Sequence, residues 1–118
     1  MDFQQAEASA KEWIEAWNRR DPDAVASHYS DDVEFQSPLL AHLLEEPSGT
    51  VFGKQNLREY FGKVLAAFPE ELNLELVGVY VGVKSRLVHF QAKGRRVIEV
   101  MELDDEGKVR RALTFGQP

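Results

Sequence analysis

The chain has 118 residues, 43% of them hydrophobic and 29% charged, with no cysteine. This size and balance predict one domain over residues 1–118 and exclude a disordered chain, a disulfide scaffold, thiolate catalysis and cysteine-held zinc. The net charge of −6 argues against general nucleic-acid or anionic-membrane binding, because phosphate neutralisation needs basic surface.

The elements follow in chain order. Phe3, Ala6, Ala10, Trp13, Ile14 and Trp17 recur every three or four residues, the period of one apolar helix face. Asn18-Arg19-Arg20 places cations at its end, where they suit the helix dipole. Asp21-Pro22 supplies an N-cap acceptor and a proline for the first helical position, predicting a short second helix to about Tyr29. Val33–Ser37 alternates and reads as a brief strand stopped by Pro38. Leu39–Leu44 reads as a helical turn, and Glu45–Gly49 as a loop. A third helix is predicted from about Lys54 to Phe68, with Leu57, Tyr60, Phe61, Val64, Leu65 and Phe68 on one side and Pro69 ending it.

Strands follow. Leu72–Val83, apolar on both faces around 76–81, predicts a strand covered on each side. Ser85–Ala92 and Arg95–Leu103 flank Lys93-Gly94, a hairpin turn; Asp104–Gly107 is a second turn, and Lys108–Phe115 the last strand. Helices followed by a run of antiparallel strands define an α+β fold: three N-terminal helices on a curved antiparallel sheet, forming a cone with an internal cavity. The longest apolar run, Leu76–Val83, is eight residues and far below the ~18 of a spanning helix. Met1–Gln5 lacks the basic and apolar regions of a signal peptide, so the expectation is a cytoplasmic protein without membrane contact.

Several motifs are excluded. Gly49–Gln55 has one residue too few between its glycines for a phosphate loop, and Gln55 stands where Ser or Thr would hold magnesium. His28, His42 and His89 have no ligand spacing, so no metal is expected. Ser37 has no G-x-S-x-G context for an acyl-enzyme. Beyond residue 83 there are eight Lys or Arg against five Asp or Glu. That excess is read as solvated strand edges and turns rather than as an anion site.

The chain resembles the nuclear transport factor 2-like superfamily, in its ketosteroid isomerase and SnoaL-like polyketide cyclase branch. The residues that carry the resemblance are Asn18-x-x-Asp21, Asp31–Pro38, Gly53-x-x-x-Leu57-Arg58-Glu59-Tyr60-Phe61, and the Asp-Glu-Gly-Lys-Val turn before Leu113–Gly116. The resemblance implies a pocket for a small hydrophobic molecule. In the isomerases an aspartate base precedes the proline that ends the first strand; Ser37 stands there. Trp13 takes the place of a tyrosine oxyanion donor, Phe61 that of a supporting phenol, and Glu99 that of a neutral late-strand acid. A serine without an activating partner does not shuttle protons between carbons, which argues against steroid isomerisation. The polyketide cyclases of the branch use a pocket acid/base carboxylate instead.

Glu99 is the carboxylate that alternation sets with Val97, Met101 and Leu103 on a mostly apolar face, where desolvation would raise its pKa. It is either an acid/base or one half of an ordinary pair with Arg86 or Arg110. A two-residue turn at Lys93-Gly94 sets Glu99 opposite Val88, with Arg86 one diagonal step away. The candidate catalytic residues are Glu99, Ser37 and His42, the last either at the cavity mouth or turned outward. Trp13, Trp17, Tyr29, Phe35, Phe61, Val88, Met101 and Phe115 are the candidate ligand contacts, with core packing the alternative for the indoles. Leu87, Ile98, Val100 and Val79 or its neighbours form an apolar outer patch that predicts a homodimer through the outer sheet face. Two functions fit: cofactor-independent proton transfer on a small hydrophobic carbonyl compound, of isomerase, cyclase or dehydratase type, or non-catalytic binding of a hydrophobic ligand or partner.

Overall fold

The computed structural model of the protein describes residues 2–69 and 73–117. Helix α1 (Phe3–Asn18) opens with a reciprocal cap in which the Asp2 carboxylate accepts from the Gln5 backbone N–H while the Gln5 side chain accepts from that of Asp2. Its predicted stripe is buried from Ala6 to Trp17, with Phe3 left exposed. Arg20 adopts a left-handed φ of 61° and directs its guanidinium to the carbonyls of Leu65 and Phe68. The cation thus serves the end of another helix rather than its own. Asp21 caps α2 (Pro22–Ala26) as expected, but that helix ends before Tyr29.

Strand β1 (Tyr29–Gln36) begins four residues ahead of the predicted Val33. The cause is non-local: Tyr29 pairs with Val109 near the far end of the chain, and an irregularity then carries the exposed Asp31 and Asp32 past the ladder. The Leu39–Leu44 turn is a short helix, α3 (Pro38–Leu43), and a three-residue strand, β2 (Thr50–Phe52), follows it unpredicted. Helix α4 (Lys54–Ala67) matches its prediction to within a residue. The described residues therefore hold four helices where three and a turn were expected.

Strands β3 (Leu74–Val81), β4 (Ser85–Ala92), β5 (Arg95–Leu103) and β6 (Val109–Gly116) complete a six-stranded, curved, unclosed sheet in the order β2-β1-β6-β5-β4-β3. The predicted start of β3 at Leu72 lies outside the described residues. The three pairings among β3 to β6 are antiparallel as expected; β1 pairs antiparallel with β2 and parallel with β6. Lys93 (φ 54°) and Gly94 (φ 74°) are both left-handed, the conformation of a two-residue turn whose twist matches its strands. The register that follows sets Glu99 opposite Val88, and Arg86 opposite Met101.

Strand β3 departs from the doubly covered reading. It is an edge strand with a bulge between Leu76 and Gly78, and Val77, Tyr80 and Val81 are exposed. The bulge interrupts the alternation, which is why the sequence looks apolar on both faces there. Inward side chains of the sheet meet α1 and α4 in an aromatic core. Trp17 and Phe61 pack edge-on at 4.9 Å between centroids, and Trp13 and Phe90 at 5.4 Å.

Candidate functional site

Alternation along β5 turns Glu99 inward, and register sets Thr114 of β6 across from it. The carboxyl group is 3% exposed. The Thr114 hydroxyl donates to Oε1 at 3.2 Å, and the Tyr29 phenol donates to Oε2 at 2.9 Å. Tyr29 itself accepts from the Trp13 indole Nε1 at 3.1 Å. An indole N–H is a donor only, so the phenol oxygen receives that hydrogen and its own proton is committed to Glu99. A helix, the first strand and two late strands thus converge on one acid.

Burial is the largest influence on that acid and raises its pKa to about 7; the Tyr29 and Thr114 hydroxyls and the Arg86 charge pull the other way. Arg86, 2% exposed, is itself lowered by burial, and Tyr29 is pushed well above the ordinary phenol value by burial and the neighbouring carboxylate. The diagonal Arg86–Glu99 relation read from the sequence is present as charge proximity, alongside the hydroxyl contacts.

In front of Glu99 lies a cavity of about 790 Å³. Its walls include Glu99, Ser37 and His42, together with Trp13, Trp17, Phe35 and Phe61 of the expected ligand contacts. His42 is exposed, at the rim. Four expected contacts lie elsewhere. Val88 and Met101 share the inward face but are fully buried in the core. Tyr29 is also fully buried, behind Glu99, and acts through that carboxyl group. Phe115 is on the outer face, 54% exposed. The cause is a bulge between Glu102 and Leu103. Counting back from the Leu103–Val109 pair without it sets Phe115 inward; the bulge shifts the register by one, so Thr114 faces Glu99 instead.

Thr114 and Tyr60 are among the lining residues that escaped the sequence reading. Thr114 is hidden by that bulge. Tyr60 lies on the predicted apolar side of α4 and reads as core, yet its phenol meets the Ser37 hydroxyl; burial pushes it up to about 12 while the Ser37 hydrogen bond lowers it. Both hydroxyls line the cavity, and each is a donor that a ligand oxygen can use. Ser37 makes no side-chain cap on α3. Among the described residues no group of His, Asp and Glu is arranged to hold a metal ion, and no helix is long and apolar enough to cross a membrane.

The family model of the SnoaL-like domain matches residues 10–114. The chain belongs to the SnoaL-like family. A SnoaL-like protein of unknown function from Burkholderia thailandensis is 34% identical to it, superposes with a TM-score of 0.92, and the match covers 99% of this chain and 98% of that one. SalBIII, an epoxide hydrolase/cyclase-like enzyme in pyran ring formation in the polyether salinomycin, matches at 22% identity and a TM-score of 0.73, over 98% of this chain and 93% of its own. A proposed isomerase of the SnoaL-like family from Agrobacterium tumefaciens matches at 16% and 0.77, over 98% and 100%. At those identities the last two share the fold alone. No protein of curated function matches. The nuclear transport factor 2-like architecture expected of the chain is thus its fold, with the SnoaL-like domain as its family.

Proposed function

We propose that this SnoaL-like protein is a cofactor-independent acid–base enzyme acting on a small, largely apolar carbonyl compound. The observation that carries the proposal is Glu99: a buried carboxyl group at a cavity wall, with a pKa near 7 and both oxygens oriented by hydroxyls. An acid/base works best when its pKa lies near the ambient pH, and burial provides that here. The Tyr29 proton is held at Oε2, and Thr114, which lines the cavity, meets Oε1. Proton exchange with a ligand is therefore assigned to Oε1. Its carboxylate form removes a proton from the carbon beside a carbonyl, giving neutral Glu99 and an enolate. The Ser37 and Tyr60 hydroxyls, which line the cavity, donate to the enolate oxygen, and Glu99 then returns its proton to a carbon of the same molecule. Return to a different carbon is an isomerisation; attack of the enolate carbon on a second carbonyl, with protonation of the resulting alkoxide, is a cyclisation.

The test needs no knowledge of the product. In D2O, deuterium uptake beside the carbonyl of small cyclic ketones, followed by NMR, is expected to be faster with the wild type than with Glu99→Gln by roughly 10²–10⁴-fold, the usual worth of a positioned acid/base. Equal rates would remove Glu99 as the catalyst and leave a binding protein built on the same cavity.

A further inference from the structure

Polarity in the cavity is one-sided. Glu99 is the one Asp or Glu among the described lining residues, whereas Arg95 and Arg96 stand at the hairpin end of the cavity. Three other arginines are answered by carboxylates: Arg58 by Asp23, Arg110 by Glu102, and Arg111 by Glu34 and Glu102. Arg95 and Arg96 are exposed and make no ion pair among the described residues, in a chain whose net charge is −6. Both line the cavity instead. The two-residue turn beside them fixes their backbone there.

A second observation lies deeper. Trp17 is 7% exposed and lines the cavity, and its Nε1 is buried with no hydrogen-bond acceptor among the described residues. Both features are donors awaiting an oxygen, at the mouth and in the wall. Arg95, Val97 and Glu99 alternate onto one face of β5, four residues end to end, which is about 13 Å between the outer Cα atoms at ~3.3 Å per residue.

We infer that the ligand is an amphipathic anion: an apolar body lying along Val97 against the indoles, with a carboxylate held by Arg95 and Arg96 at the mouth and its oxygen-bearing end reaching Glu99. Which end reacts rests on the acid–base reading; the anion contact stands without it. The strand-edge reading of the C-terminal basic residues still describes Arg110 and Arg111, which pair across the sheet.

Both tryptophans of the chain line the cavity, so intrinsic fluorescence reports its occupancy. Octanoate, decanoate and dodecanoate are titrated against the alcohols of equal length. The wild type is expected to favour the carboxylates by roughly ten-fold or more, the worth of a charge-assisted contact partly screened by water, and less so as salt is raised. The combined Arg95→Ser and Arg96→Ser variant loses the preference, and the combined Arg95→Lys and Arg96→Lys variant keeps part of it. Equal affinity for acid and alcohol, a preference surviving in the serine variant, or no fluorescence response to any of the six compounds would overturn the inference. Deuterium uptake that ignores Glu99→Gln, with the preference intact, removes the catalytic reading alone.

Discussion

Glu99 carries opposite demands from folding and from chemistry. Folding places its carboxyl group among apolar neighbours, which raises its pKa from 4.5 to about 7. A carboxyl group with a raised folded-state pKa binds more protons folded than unfolded between those two values, so its contribution to stability is complete below pH 4.5 and is lost as pH rises to 7. The loss amounts to roughly 3 kcal/mol at 1.36 kcal/mol per pKa unit. Glu99→Gln cannot ionise. It should match the wild type within about 1 kcal/mol near pH 4 and exceed it by a few kcal/mol at pH 8, as measured by urea denaturation across that range. A wild type whose stability does not fall between these pH values would place the carboxyl group in a solvated setting. This residue was legible because inward alternation on a late strand singles out one acid. Its partners were not: the Tyr29 contact joins residues 70 apart in sequence, and Thr114 depends on a bulge that leaves no local mark.

At the scale of elements, the motif residues that carried the family resemblance have identifiable mechanical roles. The Asn18 side chain at the end of α1 donates to the Leu74 carbonyl at 3.0 Å and accepts from the Leu74 N–H at 2.7 Å, pinning the first residue of the edge strand β3 to the helix. Asp21 caps the next helix. Asn18→Ala breaks both contacts at once and should cost about 1–3 kcal/mol, with a melting temperature lower by several degrees. Hydrogen exchange should show the loss concentrated at Leu74 and its neighbours in β3; an unchanged exchange rate there would mean that the clamp contributes nothing. Long periodic elements such as α1 and α4 and the hairpin at Lys93-Gly94 were legible because their determinants lie within a few residues. Strand β2, the early start of β1 and the exposure of β3 were not, since each is decided by a partner strand or a bulge.

The whole molecule presents a sheet with two unlike faces. The inward face meets the helices and the cavity; the outward one carries Tyr80, Leu87, Ile98, Val100, Leu113 and Phe115, with Tyr80 and Phe115 more than half exposed. We propose that a second copy of the chain covers this face in a two-fold homodimer. A sheet face is readily self-complementary, and a lone protein seldom leaves a contiguous apolar patch of this kind in water. A standard interface hides about 800 Å² per partner, roughly a ninth of the 6926 Å² surface of this chain. Arg111, beside the patch, is already neutralised within the chain by Glu34 and Glu102, so it offers a second copy little like-charge repulsion. Sedimentation at micromolar concentration should give twice the chain mass. Phe115→Arg sets a charge into the apolar centre without touching the cavity; it should weaken association by at least about 30-fold, equivalent to 2 kcal/mol, and leave the helical signal intact. Because Phe115 and Thr114 are neighbours on β6 facing opposite ways, the same variant also asks whether the outer face supports the inner one. Weaker cavity occupancy in the dissociated protein would show that the sheet needs its partner to hold Thr114 against Glu99, and a wild type of single-chain mass would end the dimer proposal.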